Sequence, residues 1–213
     1  MNRDKSEKNK DTKNKDVKSK DTESKSVNPF ESLRNRCLIA MPNMMDPNFS
    51  KVVIFLCEHT EEGALGIIIN QPVSITFDEV LEHMKLKTED DSVNQLPVLF
   101  GGPVQQERGF IIHSPVGEWR ASLSVSEEIA VTASRDILEA VAAGLGPKKI
   151  LTCLGYAGWG AGQLEEEIAK NMWLDGPVTS KIIFDTPFEN RWEEAAKLIG
   201  IDPRFFSGEA GHA

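Results

Sequence analysis

Two histidines stand near the ends of apolar runs, where a side chain could take part in acid–base chemistry. His59 follows Glu58, and His113 follows the run Phe-Ile-Ile. The unperturbed pKa of histidine lies near neutrality, so a correctly placed ring can serve as a general base. Neighbours in a strand point to opposite faces, so Glu58 and His59 are not expected to share one site. For His113 the alternative is a buried or rim histidine whose ring is already hydrogen-bonded.

Other common motifs of catalysis are absent from the sequence. There is no HExxH motif, and no pair of cysteine or histidine residues has the spacing of a structural zinc site, so we predict no metal and no cofactor. No serine lies in a G-x-S-x-G elbow. Cys37, Cys57 and Cys153 are far apart and set in apolar runs, which predicts buried reduced thiols that are poor nucleophiles.

A glycine-rich stretch, CLGYAGWGAGQLEEEIAKNMW over residues 153–173, raises the question of a phosphate site. Backbone N–H groups at a strand-to-helix turn can hold an anion. However, the spacing G-x-x-G-x-G-x-G does not match a dinucleotide-binding loop, and no P-loop lysine is present. The glutamates at 165–167 already supply negative charge where the helix begins. We therefore predict a strand-to-helix turn with close backbone packing.

Tyr156 and Trp159 lie in this stretch and keep a second interpretation open. Aromatic rings exposed on a tight loop can stack on a ligand or hold a cation, which would make the loop part of a site for a neutral or cationic ligand. Large aromatic residues are also common in protein cores. Both alternatives remain open for these two rings.

The elements that must position these residues follow from hydrophobic patterning. Apolar, β-branched runs predict strands, and apolar stripes at helical spacing with capping residues predict helices. The predicted strands cover residues 51–57 and 64–70 as a hairpin, two short strands around residues 101–103, then 119–125, 128–132, 149–154 and the SKIIFD segment at 180–185. The predicted helices cover residues 76–85, 134–145, 163–173 and 189–199, with a polar loop at 86–95. Helices mixed with hairpins and single strands indicate one α+β domain with a mixed sheet.

Composition separates a tail from this domain. Residues 1–26 are charged and lack aromatic residues, so we predict a disordered charged tail, a folded domain over 27–205 and a flexible C-terminus at 206–213. The chain carries a net charge of −9 although the tail is basic, so direct DNA binding by the domain is not expected. No apolar run is long enough to cross a bilayer and no signal peptide is evident, so we expect no membrane partner and a cytoplasmic location.

Several segments together resemble the AlgH/YqgE family of bacterial proteins. These segments are LIAMPNMMDPNFSKVVIFLCEHTEEGALGIIINQP, FGGPVQQERGFIIHSP, LGYAGWGAGQLEEEIAKNMWL and IFDTPFENRWEEAAKLIGID, in order from about residue 38 to residue 202. The resemblance implies a single α+β domain with a complex mixed sheet, partly curled into a small barrel and surrounded by helices. It implies a fold rather than a reaction, because the family's activity is largely unassigned and one branch is labelled a transcriptional regulator.

The resemblance also indicates where a shared site would lie. The polar residues within its motifs, together with Trp159, are the candidate binding residues: Asp46, His59, Asn70, His113, Tyr156, Trp159, Gln163 and Glu165. The leading hypothesis is a regulatory or interaction protein that binds a small molecule or a protein partner. The alternatives are a hydrolase or transferase using His59 or His113 with Asp46 or Glu165, and a nucleic-acid binder acting through the basic tail. The oligomeric state is left open.

Overall fold

The sheet of this protein is organised around one long central strand. The computed structural model describes residues 30–42, 44 and 46–202, so the predicted tail at 1–26 and C-terminal segment at 206–213 lie outside the described residues. The strands are β1 (Arg36–Ala40), β2 (Val53–Thr60), β3 (Gly63–Ile68), β4 (Pro72–Thr76), β5 (Pro97–Phe100), β6 (Val104–Ser114), β7 (Ser122–Ser124), β8 (Ala130–Thr132), β9 (Lys149–Gly160) and β10 (Trp173–Pro177). The helices are α1 (Phe77–His83), α2 (Asp91–Asn94), α3 (Arg135–Ala142), α4 (Gln163–Ala169) and α5 (Arg191–Leu198).

The ten strands form one mixed sheet. Their order is β10-β1-β2-β3-β9-β6-β8-β7, and β5 pairs with both β9 and β4. The pairing of β5 with β9 is parallel, whereas β9 runs antiparallel to β3 and β6. The sheet curls into an antiparallel half-barrel with helices against it. This confirms the predicted α+β class with a partly barrel-like mixed sheet.

Each covered face of the sheet has its own apolar cluster. The largest contains residues from β1, β2, β3 and β9 together with Trp192 and Ala195 of α5. A second cluster, with Trp159, Trp173 and Leu164 of α4, covers the opposite face of the same strands. The third joins Ile111 of β6 to α1 and α3. Because both faces of the central strands are covered, their sequences are apolar runs without alternation.

The glycine-rich stretch is part of a strand, which corrects the predicted turn. β9 runs through Gly160, and its second half pairs with β3 from Gly63↔Gly160 to Gly66↔Ala157. Gly102 and Gly155 allow two segments of backbone to approach each other closely here. Gly155 has φ +73°, and a Cβ there would lie 2.4 Å from the carbonyl oxygen of Gly102. The turn into α4 comes later, at Gly162, which has φ +73°.

Three further local predictions are wrong because tertiary partners override local pattern. The predicted helix at 163–173 ends at Ala169, and residues 173–177 form β10, which pairs with all five residues of β1. The predicted strand at 180–185 is instead a π-helical turn, Lys181–Asp185, closed by a hydrogen bond from the amide of Thr186 to the carbonyl of Lys181. The predicted loop at 86–95 contains the short helix α2.

The remaining helices follow the predictions to within a few residues. α1, α3 and α5 lie within the predicted ranges, and Trp192 of α5 is buried with Ala195 and Ala196 as its helical spacing predicts. Among the described residues, no helix is long and apolar enough to cross a membrane.

Candidate functional site

His59 and Glu165 are the one histidine–acid pair from the predicted set that the fold joins. His59 lies at the end of β2, and a bulge between Leu56 and Glu58 sets its register, so that Glu58 is exposed while His59 is buried. The amide of Leu33 donates to Nδ1 of His59 at 2.8 Å. Nε2 therefore carries the proton and donates it to Glu165 Oε1, also at 2.8 Å. Both ring nitrogens are thus hydrogen-bonded within the protein.

Trp159 and Gln163 belong to a second polar group, centred on Glu167. The indole N–H groups of Trp159 and Trp173 both donate to Glu167 Oε2 at 2.8 Å. The Gln163 amide donates to Oε1 of the same carboxylate at 2.9 Å, and its own oxygen accepts from the amide of Gly160. Glu167 was not among the predicted residues. The arrangement anchors α4 to β9 and β10 and is a packing feature.

The rings of Tyr156 and Trp159 lie on opposite faces of β9, although both residues border one shallow surface depression beside β2 and β3. Trp159 is 7% exposed and packs with Leu164 and Trp173. Tyr156 packs against the other cluster, with its ring edge-on to Phe110 at a centroid distance of 5.8 Å. The odd spacing of the two residues in a strand places them this way. Trp159 is therefore packed in the core, and its role as a binding residue stays a prediction.

Asp46 and Asn70 both serve the connection that leads into β2. Asp46 caps the short 3-10 helix Pro47–Phe49 by accepting from the amide of Asn48 at 2.9 Å. The Asn70 side chain accepts from the amide of Val53 and donates to the carbonyl of Lys51, at 2.8 and 2.9 Å. Neither of these side chains hydrogen-bonds to a candidate histidine in the described structure. Their observed roles are local and structural.

His113 is a fully buried histidine of β6 with both ring nitrogens in use. Nδ1 lies 3.0 Å from the carbonyl of Pro115, which can only accept, so Nδ1 carries the proton. Nε2 then accepts from the hydroxyl of Thr132 at 2.9 Å, and that hydroxyl also lies 2.7 Å from Ser122 Oγ. Burial lowers the pKa of His113, an effect partly offset by the hydrogen bond to Pro115. The ring is therefore neutral at pH 7.

The thiols are as inert as the sequence predicts. Cys37, Cys57 and Cys153 are buried and free of disulfides. Burial raises the pKa of Cys37 to about 12 and raises those of Cys57 and Cys153 further. In the described part of the chain, no group of three or more histidine, cysteine, aspartate or glutamate side chains is placed to hold a metal ion.

The feature that sequence reasoning missed is a cavity of about 450 Å³ between the sheet and two helices. Its floor is the face of β6, β8 and β9, and its walls come from α1 and α3. The register of the strands explains which side chains form the floor. Thr152 of β9 is paired with Ile111 of β6, and Ile111 is paired with Thr132 of β8, so these three side chains point to one face. All three line the cavity.

The walls of the cavity are mainly apolar and its mouth is charged. Val80 of α1, Met84 directly after that helix and Leu138 of α3 line it. The exposed residues at its edge are Glu79, His83, Glu107 and Arg135. Gly109 of β6 also lines it, and a Cβ built there meets no atom within 4 Å. The missing side chain at position 109 leaves part of this space open.

Thr152 gives the cavity floor an unusual polar group. The residue is 3% exposed, and its Oγ1 is the one buried side-chain N or O atom among the described residues that has no hydrogen-bond partner. A buried hydroxyl without a partner is costly, so such groups are uncommon in folded proteins. None of the predicted candidates lines this cavity, but His113 is hydrogen-bonded to the lining residue Thr132. A threonine within the apolar strand KILTCL was the sequence signal, but threonine is common in strands and the signal is weak.

The fold and the cavity define a class: an α+β half-barrel with a ligand-sized, mainly apolar cavity on one face. A family model described as AlgH-like matches residues 37–204. The chain therefore belongs to the AlgH-like family, as the sequence resemblance predicted.

Relatives and solved structures agree with this assignment. A UPF0301 protein of Nitrosococcus oceani is 53% identical over 180 residues, covering 84% of this chain and 96% of the relative. A UPF0301 protein of Thioalkalivibrio sulfidiphilus is 54% identical over 179 residues, with the same coverage of both chains. The solution structure of the AlgH protein from Pseudomonas aeruginosa matches with a TM-score of 0.72 and 43% identity, over 89% of this chain and all of that one. A crystal structure from Corynebacterium diphtheriae, with 19% identity and a TM-score of 0.61 over 79% of this chain and 87% of that one, shares the fold.

Proposed function

We propose that this protein is a regulatory protein that binds a small molecule in the cavity between α1, α3 and the face of β6, β8 and β9, without carrying out chemistry on it. The observation that carries the proposal is the unpartnered hydroxyl of Thr152 on the floor of a cavity with mainly apolar walls. Ligand sites are typically concave, mostly apolar and provided with a few polar groups, and their volumes lie in the range of roughly 300–1,000 Å³.

The hydrogen bonding of the histidines weighs against the hydrolase or transferase alternative. A general base needs a nitrogen that can reach the substrate. Both nitrogens of His59 and both nitrogens of His113 are engaged inside the protein. The net charge of −9 likewise weighs against a transcriptional regulator that contacts DNA through the folded domain. The three free buried thiols favour a reducing compartment, and we propose a cytoplasmic location.

The proposal is tested with a neutral apolar fluorophore, N-phenyl-1-naphthylamine, whose emission rises when it enters an apolar site. We expect saturable binding to the full-length protein. Gly109→Leu should abolish this binding, because the new side chain projects into the cavity, whereas Gly109→Ala should retain it. Met84→Trp obstructs the cavity from the helix wall and replaces Gly109→Leu if that variant does not fold, as judged by circular dichroism.

Two results would contradict the proposal. The first is the absence of saturable fluorophore binding to the folded wild-type protein. The second is equal binding to wild type and to a folded variant with a filled cavity. Either result would favour the other form of the leading hypothesis, in which the protein binds a protein partner.

A further inference from the structure

The mouth of the cavity carries an excess of negative charge. Glu79 and Glu107 line the cavity and are exposed. The one arginine at the mouth, Arg135, forms an ion pair with Glu139 one helical turn later, with Nε 2.7 Å from Oε1. Its charge is therefore largely compensated by a residue of its own helix. Glu79 Oε1 also accepts from the amide of Thr76 at the start of α1, and this carboxylate keeps its charge. The carboxylates at positions 79 and 107 therefore set the sign of the potential at the entrance, beside the exposed ring of His83.

The interior of the cavity is mainly apolar and therefore favours an uncharged part of a ligand. Ile111 is buried there, and Val80, Met84 and Leu138 supply apolar walls. The hydroxyls of Thr132 and Thr152 lie on the floor two strands apart, a separation of roughly 10 Å. Thr132 is already hydrogen-bonded to His113, so Thr152 is the floor residue with hydrogen-bonding capacity to spare.

We infer that the ligand is an amphipathic amine: an apolar body that lies across the floor between Thr132 and Thr152, and a positively charged amine that lies at the mouth near Glu79 and Glu107. The inference rests on the proposed function, since it names the ligand class of the same cavity. The acidic mouth attracts a cation and repels a carboxylate of the same length, and the apolar walls bind the body of either molecule. The head group therefore decides between ligands of equal size.

The inference predicts which of two matched probes displaces the fluorophore. Octylamine and octanoate have the same alkyl chain and opposite charge at pH 7. We expect octylamine to displace N-phenyl-1-naphthylamine at about fivefold lower concentration than octanoate at low salt, as expected for a partly screened charge interaction at a protein surface. Raising the ionic strength should narrow this ratio.

Two neutralising variants locate the source of the preference. Glu107→Gln should reduce the ratio between the probes, because it removes a charge from the mouth. Glu61→Gln should leave the ratio unchanged, because Glu61 lies on the exposed turn between β2 and β3 and does not line the cavity. Both residues are exposed, so neither substitution is expected to affect folding.

The outcomes separate this inference from the proposed function. If the fluorophore binds saturably in the cavity but octanoate displaces it as well as octylamine does, the inference is wrong and the binding function stands. The same conclusion follows if neither probe displaces it, or if Glu107→Gln and Glu61→Gln behave alike. If the fluorophore does not bind to the folded protein, the proposed function fails as well.

Discussion

Thr152 and Thr132 point from the same face of the sheet, two strands apart, yet only Thr132 has a hydrogen-bonded hydroxyl. Both residues are almost completely buried. Their side chains have the same shape as valine, so replacement by valine removes the hydroxyl with little change in packing. The pair is therefore a matched test of what each hydroxyl does.

Thr152→Val is expected to stabilise the ligand-free protein by about 1 kcal/mol, because it removes a buried hydroxyl that has no partner. Thr132→Val is expected to destabilise it by about 1–2 kcal/mol, because the hydrogen bonds with His113 and Ser122 are lost. Urea unfolding gives both values. Equal destabilisation by the two substitutions would mean that the Thr152 hydroxyl is also hydrogen-bonded.

Glu167→Gln is expected to destabilise the protein by about 2–3 kcal/mol. The carboxylate accepts from two indole N–H groups and from the amide of Gln163, and hydrogen bonds to a charged acceptor are stronger than those to a neutral amide. Glu166→Gln is the control, since Glu166 is exposed and forms only an i,i+4 pair with Lys170. Its effect should stay within about 0.5 kcal/mol. Chemical unfolding followed by tryptophan fluorescence measures the free energy of unfolding of both variants. Similar losses of stability in Glu167→Gln and Glu166→Gln would show that the indole contacts do not stabilise the fold.

His113 is expected to make the protein less stable in mild acid. Burial lowers its pKa in the folded state below the ordinary value of 6.5, so the unfolded chain binds a proton more readily than the folded one. The resulting stabilisation is fully present above pH 6.5 and is lost as the pH falls from 6.5 through the lower pKa of the folded state. The stability advantage of wild type over His113→Gln should therefore shrink between pH 7.5 and pH 5.5. An advantage that is constant over this range would contradict the prediction.

Gly155→Ala is expected to be far more harmful than Gly144→Ala. Both glycines have a positive φ, +73° and +71°, so each alanine meets a similar backbone cost of about 1 kcal/mol. At position 155 the new Cβ would also lie 2.4 Å from the carbonyl oxygen of Gly102, whereas nothing lies within 4 Å at position 144. We expect a difference of at least about 2 kcal/mol in thermal or urea unfolding. Equal losses would mean that the contact between residues 102 and 155 relaxes freely.

The sequence was sufficient for the fold class, the core helices and the inert cysteines. An unbroken apolar run such as KVVIFLC predicts a strand that is buried on both faces. The apolar stripe with Trp192 and Ala195 predicts a helix that packs that side against the core. These conclusions hold because burial of apolar area depends on composition and periodicity, which are local. The same local information predicted that Glu58 and His59 would point apart.

The glycine-rich segment shows where local information stops. Its glycines indicate a turn, but their function is to let β9 approach the backbone near Gly102 and to pair with β3. Residues 173–177 form a strand because they pair with β1. The sequence of those residues alone does not predict that pairing. Strand pairing joins residues far apart in the chain, so it is decided only when the sheet assembles.

The chemical residues were likewise visible in the sequence, but their partners were not. The sequence determined that this chain has few histidines, buried thiols, an acidic domain and an AlgH-like pattern. Tertiary structure alone decided that His59 meets Glu165, that His113 is held by Thr132, and that Thr152 faces an apolar cavity without a hydrogen-bond partner. The physical reason is that a cavity and a hydrogen bond depend on distances between separate strands and helices, and those distances are set by strand register and helix packing rather than by neighbours in the chain.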